Sequence, residues 1–70
     1  MQGKDGFKVS TRDMVLRGWQ NSTELVRDFQ NYARQIDGDD EIADMFAGFA
    51  EDEAMHASQL LKYLRNYERD

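Results

Sequence analysis

A chain of 70 residues makes one small domain, and below roughly 70–80 residues a single core contributes only about 3–5 kcal/mol unless disulfides, a metal or oligomerisation add to it. The absence of Cys excludes disulfides and thiolate metal sites. The net charge of −5 and the scattered placement of the nine Lys and Arg residues argue against a nucleic-acid partner.

No apolar run approaches the roughly 20 residues needed to span a bilayer, and the opening MQGKDGFKVS lacks the apolar centre of a signal peptide. The expectation is a soluble, cytoplasmic chain with no membrane partner. Residues 1–9 hold Gly3 and Gly6 among mixed charges and show no period, so they read as a flexible arm, followed by a helical hairpin over 10–70.

Ser10 or Thr11 is suited to cap the first helix, expected over Thr11 to about Ile36. Its apolar residues Val15, Trp19, Val26, Phe29, Ala33 and Ile36 recur at three- and four-residue steps, as one helical face requires. The turn signal Asp37-Gly38-Asp39-Asp40 then supplies a glycine for a left-handed C-cap, an Asp for the next N-cap, and first-turn negative charge continued by Glu41. A second helix is expected from Asp40 to about Tyr67, with Ile42, Met45, Phe46, Phe49, Leu60, Tyr63, Leu64 and Tyr67 on its stripe. Gly18 and Gly48 each cost a helix up to about 1 kcal/mol relative to Ala. Both are read as sites of close helix contact.

The fold class is therefore all-α, an antiparallel two-helix hairpin. At 1.5 Å per residue each helix is about 40 Å long, and two such rods cover only one flank of each other's apolar surface. Two hairpins packed together give a four-helix bundle, the smallest closed solution, so the expected partner is a second copy of the chain, in a homodimer or larger homo-oligomer.

The stretch FAEDEAMHASQLLKYL carries the chemistry. At about 100° per residue, Glu53 lies within roughly 20–25° of the centre of the second helix's stripe and His56 about 40° to the other side. A buried carboxylate costs several kcal/mol unless something pairs with it. Three residues apart on one face, a carboxylate oxygen and an imidazole nitrogen can reach one metal ion together; equally, they can pair with each other or with a Tyr across the bundle.

Residues 41–61, EIADMFAGFAEDEAMHASQLL, resemble the second helix of rubrerythrins and other ferritin-like di-iron proteins, in which I-A-x-x-F followed by E-x-x-H-A recurs. In that family the metal site takes one Glu from each of two helices and Glu-x-x-His from each of the other two. The resemblance implies that Glu53 bridges two irons and that His56 is a terminal ligand. The resemblance covers about a third of the chain well and the rest loosely; with one helix pair the chain resembles half of a single-domain rubrerythrin, and in this it is similar to encapsulated ferritins, where each chain contributes one helix pair and the site forms between chains.

The resemblance also calls for a Glu on the inner face of the first helix. The one Glu there, Glu24, falls roughly 140° from the centre of the apolar arc, and Ser22 takes the inward position. Either the first helix turns another face to the metal and Glu24 is a ligand, or the site is reduced to two Glu and two His per dimer. Such a set can hold a single tetrahedral ion, zinc or another divalent metal as readily as iron.

Trp19, Phe29, Phe46 and Phe49 read as core, Tyr32, Tyr63 and Tyr67 fit the bundle interior, and Met14, Met45 and Met55 read as packing. No Ser-His-Asp set, Cys nucleophile or phosphate-cradling loop is present, which leaves metal-centred chemistry as the enzymatic route. Two functions of different class follow. One is a half-size ferritin-like module that oxidises Fe(II) or reduces peroxide or oxygen, drawing on an electron-transfer partner the sequence does not identify. The other is a non-catalytic hairpin for assembly or partner binding, with Glu53 and His56 as a structural or remnant pair.

Overall fold

The computed structural model describes residues 10–67. The expected arm over 1–9 lies outside the described residues. Two helices, α1 (Thr11–Gln35) and α2 (Asp40–Tyr67), pack against each other, and among the described residues there is no strand.

Their ends follow from local chemistry. Ser10 has an extended backbone and its hydroxyl accepts a hydrogen bond from the Asp13 N–H at 3.1 Å, which satisfies one of the free donors of the first turn. At the other end the chain leaves the helix at Ile36, whose backbone is already extended while its N–H still donates to the Tyr32 carbonyl. Gly38 takes the positive φ of 88°. It therefore reverses the chain within the turn, two residues beyond the Ile36 cap, instead of forming the cap itself. Asp39 starts α2 by accepting from the Ile42 N–H at 3.2 Å, with Asp40 and Glu41 adding negative charge where the helix dipole favours it.

The contact surface on α1 is the expected one, whereas that on α2 differs. Its centre on α2 is not the row of large apolar residues but a column of small ones: Ala50 and Ala57 are buried, with Leu64 continuing the column and half-buried Ala43 beginning it. The half-buried residues Phe46 and Leu60, with Glu53 between them, form the second column. Together these residues follow an unbroken three-four spacing, the a and d positions of a heptad. On α1 the matching columns are Trp19, Val26 and Ala33, and Val15, Ser22, Phe29 and Ile36. Ile42, Met45, Phe49, Tyr63 and Tyr67, assigned to the stripe from sequence, remain 37–55% exposed. Small side chains occupy the line of closest approach and the bulky ones are displaced to its flank.

Aromatic packing holds the turn end together. Phe29 stacks on Phe46 with ring centroids 5.8 Å apart and meets Phe49 edge-on at 5.7 Å, while Tyr32 meets Phe46 edge-on at 5.3 Å. Such pairs contribute about 0.5–1.5 kcal/mol each beyond the area they cover. Towards the open end, a Cβ added at Gly18 would lie 3.4 Å from the Leu60 methyls, so here the glycine does mark a close approach. Gly48 does not: nothing lies within 4 Å of a Cβ built there.

The backbone spans 12 Å along its shortest axis, so the described residues form a single layer of two helices, with no further described element on either face. The two faces differ. One is a shallow groove floored by Ala33, Ala47, Ala50 and Ala54 and edged by Gln30, Arg34 and Glu51. The other presents Leu25, Tyr32, Ile42, Phe49 and Tyr63, all more than a third exposed, beside Phe29, Phe46 and Leu60.

Candidate metal centre

Ile42, Phe49, His56 and Tyr63 recur every seventh residue along α2, on the flank that adjoins the Phe46–Glu53–Leu60 column. The heptad thus places Glu53 in the seam between the helices and His56 on the bulky, open face. Their exposures agree: the Glu53 side chain is 22% exposed and the His56 side chain 59%. Their adjacency is direct, with His56 Nδ1 3.5 Å from Glu53 Oε2. A carboxylate oxygen and an imidazole nitrogen thus meet at one point of a mainly apolar face, where a hollow lined by His56, Gln59, Leu60 and Tyr63 adjoins them.

Glu24 lies elsewhere. With Arg17 and Asn31 it forms the outermost column of α1, and all three are exposed. The structure does not bring it to Glu53 and His56. Among the described residues no three His, Asp or Glu side chains gather where one ion could bind them.

Ser22, given the inward position by the sequence, is buried, with 8% of its surface exposed. Among the described residues its hydroxyl has no hydrogen-bond partner. Phe29 stacks on Phe46, and one heptad further along each antiparallel helix stand Ser22 and Glu53. The seam therefore has one polar layer between apolar ones. The heptad that sets Ser22 and Glu53 on the seam columns is present in the sequence, but the flanking aromatics outweigh the alanines in hydrophobicity and shift the apparent centre of the stripe to the neighbouring column.

No helix among the described residues is long and apolar enough to cross a membrane. Compared with protein-family models, with curated proteins and with solved structures, the chain matches none.

Proposed function

We propose that this chain is a half-size, ferritin-like metal-binding module, in which two or more copies close their bulky faces into a four-helix bundle and a metal site forms between chains. The observation that carries the reading is the meeting of Glu53 and His56, oxygen to nitrogen at 3.5 Å, in the middle of an open apolar face. Covering that face removes water from both groups, and a desolvated carboxylate calls for a cation or a proton. The donor set fits: two-fold symmetry doubles one Glu and one His into two of each, enough for a tetrahedral ion.

Glu53 and His56 would hold the metal, Glu53 from the seam side and His56 from the open face. Iron is the metal the resemblance implies; zinc and other divalent ions suit the same donors. Bound iron would supply oxidation of Fe(II) or reduction of peroxide or oxygen. The chain's own contribution is to fix the two donors on successive turns of one rigid helix and to exclude water with Phe49, Tyr63 and Leu60.

A second reading, a non-catalytic assembly or partner-binding hairpin, is favoured by the outward position of Glu24, which leaves the family's ligand set incomplete. One variant separates the two. Under the metal-site reading, His56→Ala lowers the metal content of protein purified without chelator to near zero and leaves the helices folded, because His56 is exposed within the hairpin. Equal, negligible metal content in parent and variant would leave the assembly reading standing.

A further inference from the structure

Ser22 is more than nine-tenths buried in the seam, and no other described residue takes up its hydroxyl. A buried hydroxyl without a partner is unfavourable, and Ala at this point of a helix would be the simpler choice on helix propensity. Phe29 packs on both Phe46 and Phe49, so one heptad further along each helix Ser22 stands opposite Glu53 and His56. The hydroxyl and the carboxylate are thus the two polar groups of the seam columns at this level, with the His56 imidazole 3.5 Å from the carboxylate. Glu53 has His56 on one side only, its Oε2 being the atom 3.5 Å from the imidazole, so its carboxylate retains acceptor capacity.

We propose that Ser22 is the positioning residue of the Glu53 carboxylate: its hydroxyl donates to one buried water that in turn donates to Glu53, and this bridge sets which way the carboxylate points. Seated in the seam, Ser22 holds one oxygen towards α1 and turns the other out to the open face, beside His56. The inference rests on the metal-site reading for its purpose but not for its existence, since the hydrogen bond belongs to the metal-free protein as well. The chain would then use a neutral donor from α1 to aim its ligand, where the resemblance calls for a second carboxylate. Groups that orient a metal ligand are worth about 10–100-fold in metal affinity.

The test uses the full chain, stripped of metal with EDTA and held at one protomer concentration, in a double-mutant cycle of Ser22→Ala with Glu53→Met followed by urea unfolding. With Glu53 present, Ser22→Ala should lower the folding equilibrium constant about fivefold, the size of one net hydrogen bond. With Met at position 53 the hydroxyl has nothing to serve, and the same change should raise the constant. The same sign in both backgrounds overturns the inference, because a serine that only packs has no reason to respond to residue 53. Cobalt(II) titration gives the second readout. Ser22→Ala should weaken cobalt binding about 10–100-fold and shift the ligand-field spectrum, and Ser22→Thr, which keeps the hydroxyl, should restore both. Cobalt affinity equal in parent and Ser22→Ala overturns the positioning role. If the parent takes up no cobalt, it is the metal-site reading that fails, and the sign of the cycle still decides for or against Ser22.

Discussion

Tyr63→Ala tests whether a second copy covers the open face. Tyr63 is 55% exposed and stands one heptad beyond His56, away from the Phe29–Tyr32–Phe46–Phe49 cluster, so its loss disturbs the hairpin little. A Tyr presents on the order of 200 Å² of surface, which leaves about 110 Å² open on each chain and about 220 Å² across a symmetric pair. At about 25 cal/mol per Å², full coverage is worth about 5 kcal/mol. Allowing for the hydroxyl, for the methyl that Ala retains and for incomplete coverage, about 3 kcal/mol remains. That is about a hundredfold in the dimer Kd. Sedimentation equilibrium over nanomolar to micromolar protomer should show the shift, while the helical circular dichroism of the dilute chain should hardly change. A Kd within threefold of the parent would refute the argument, as would a parent that sediments as a folded monomer at micromolar concentration.

Gly38→Val should destabilise by about 1–2 kcal/mol in urea unfolding. The position holds a φ of 88° and nothing lies within 4 Å of an added Cβ, so the cost is backbone conformation alone. Gly48→Ala should stabilise by up to about 1 kcal/mol, because the site is open and the helix gains propensity; a loss would mean that another chain approaches there. Glu24→Gln should leave cobalt affinity within twofold of the parent, since the side chain is exposed on the outer column of α1, and a tenfold loss would mean that α1 turns that column inward on assembly.

The local signals in the sequence were sufficient for the helices and for the contact face of α1, and insufficient for that of α2. Ser10, Gly38 and Asp39 act through their own backbone neighbours, so composition at the ends of α1 and α2 locates the turn to within a residue or two. The contact surface is a tertiary property. Hydrophobicity ranks Phe49 and Tyr63 above Ala50 and Ala57, yet the alanines are buried and the rings are not, because close approach of two backbones selects for small volume before apolar area. The same competition explains the donors. Glu53 and His56 were both assigned inward by angle, and within the hairpin Glu53 enters the seam while His56 stands on the flank. A wheel drawn for one helix has a single centre, whereas a helix that adjoins both a neighbour and an open apolar face has two.

A seam floored by alanine also bears on how the hairpin finds its alignment. Ala50 and Ala57 have no rotamers to lose, so bringing the helices together there costs almost no side-chain entropy. For the same reason they discriminate poorly, since one alanine a heptad away looks like the next. Alignment falls to the layers on either side. A slip of one heptad would set Glu53 against Phe29 or Ser22 against Phe46, replacing a stacked ring pair with a polar group set against a ring. The alignment is thus specified within the helices as well as by the turn that joins them. Lengthening the connection at Gly38 by several Gly or Ser residues should therefore cost only the slowly growing loop entropy, with the pairing of α1 and α2 unchanged.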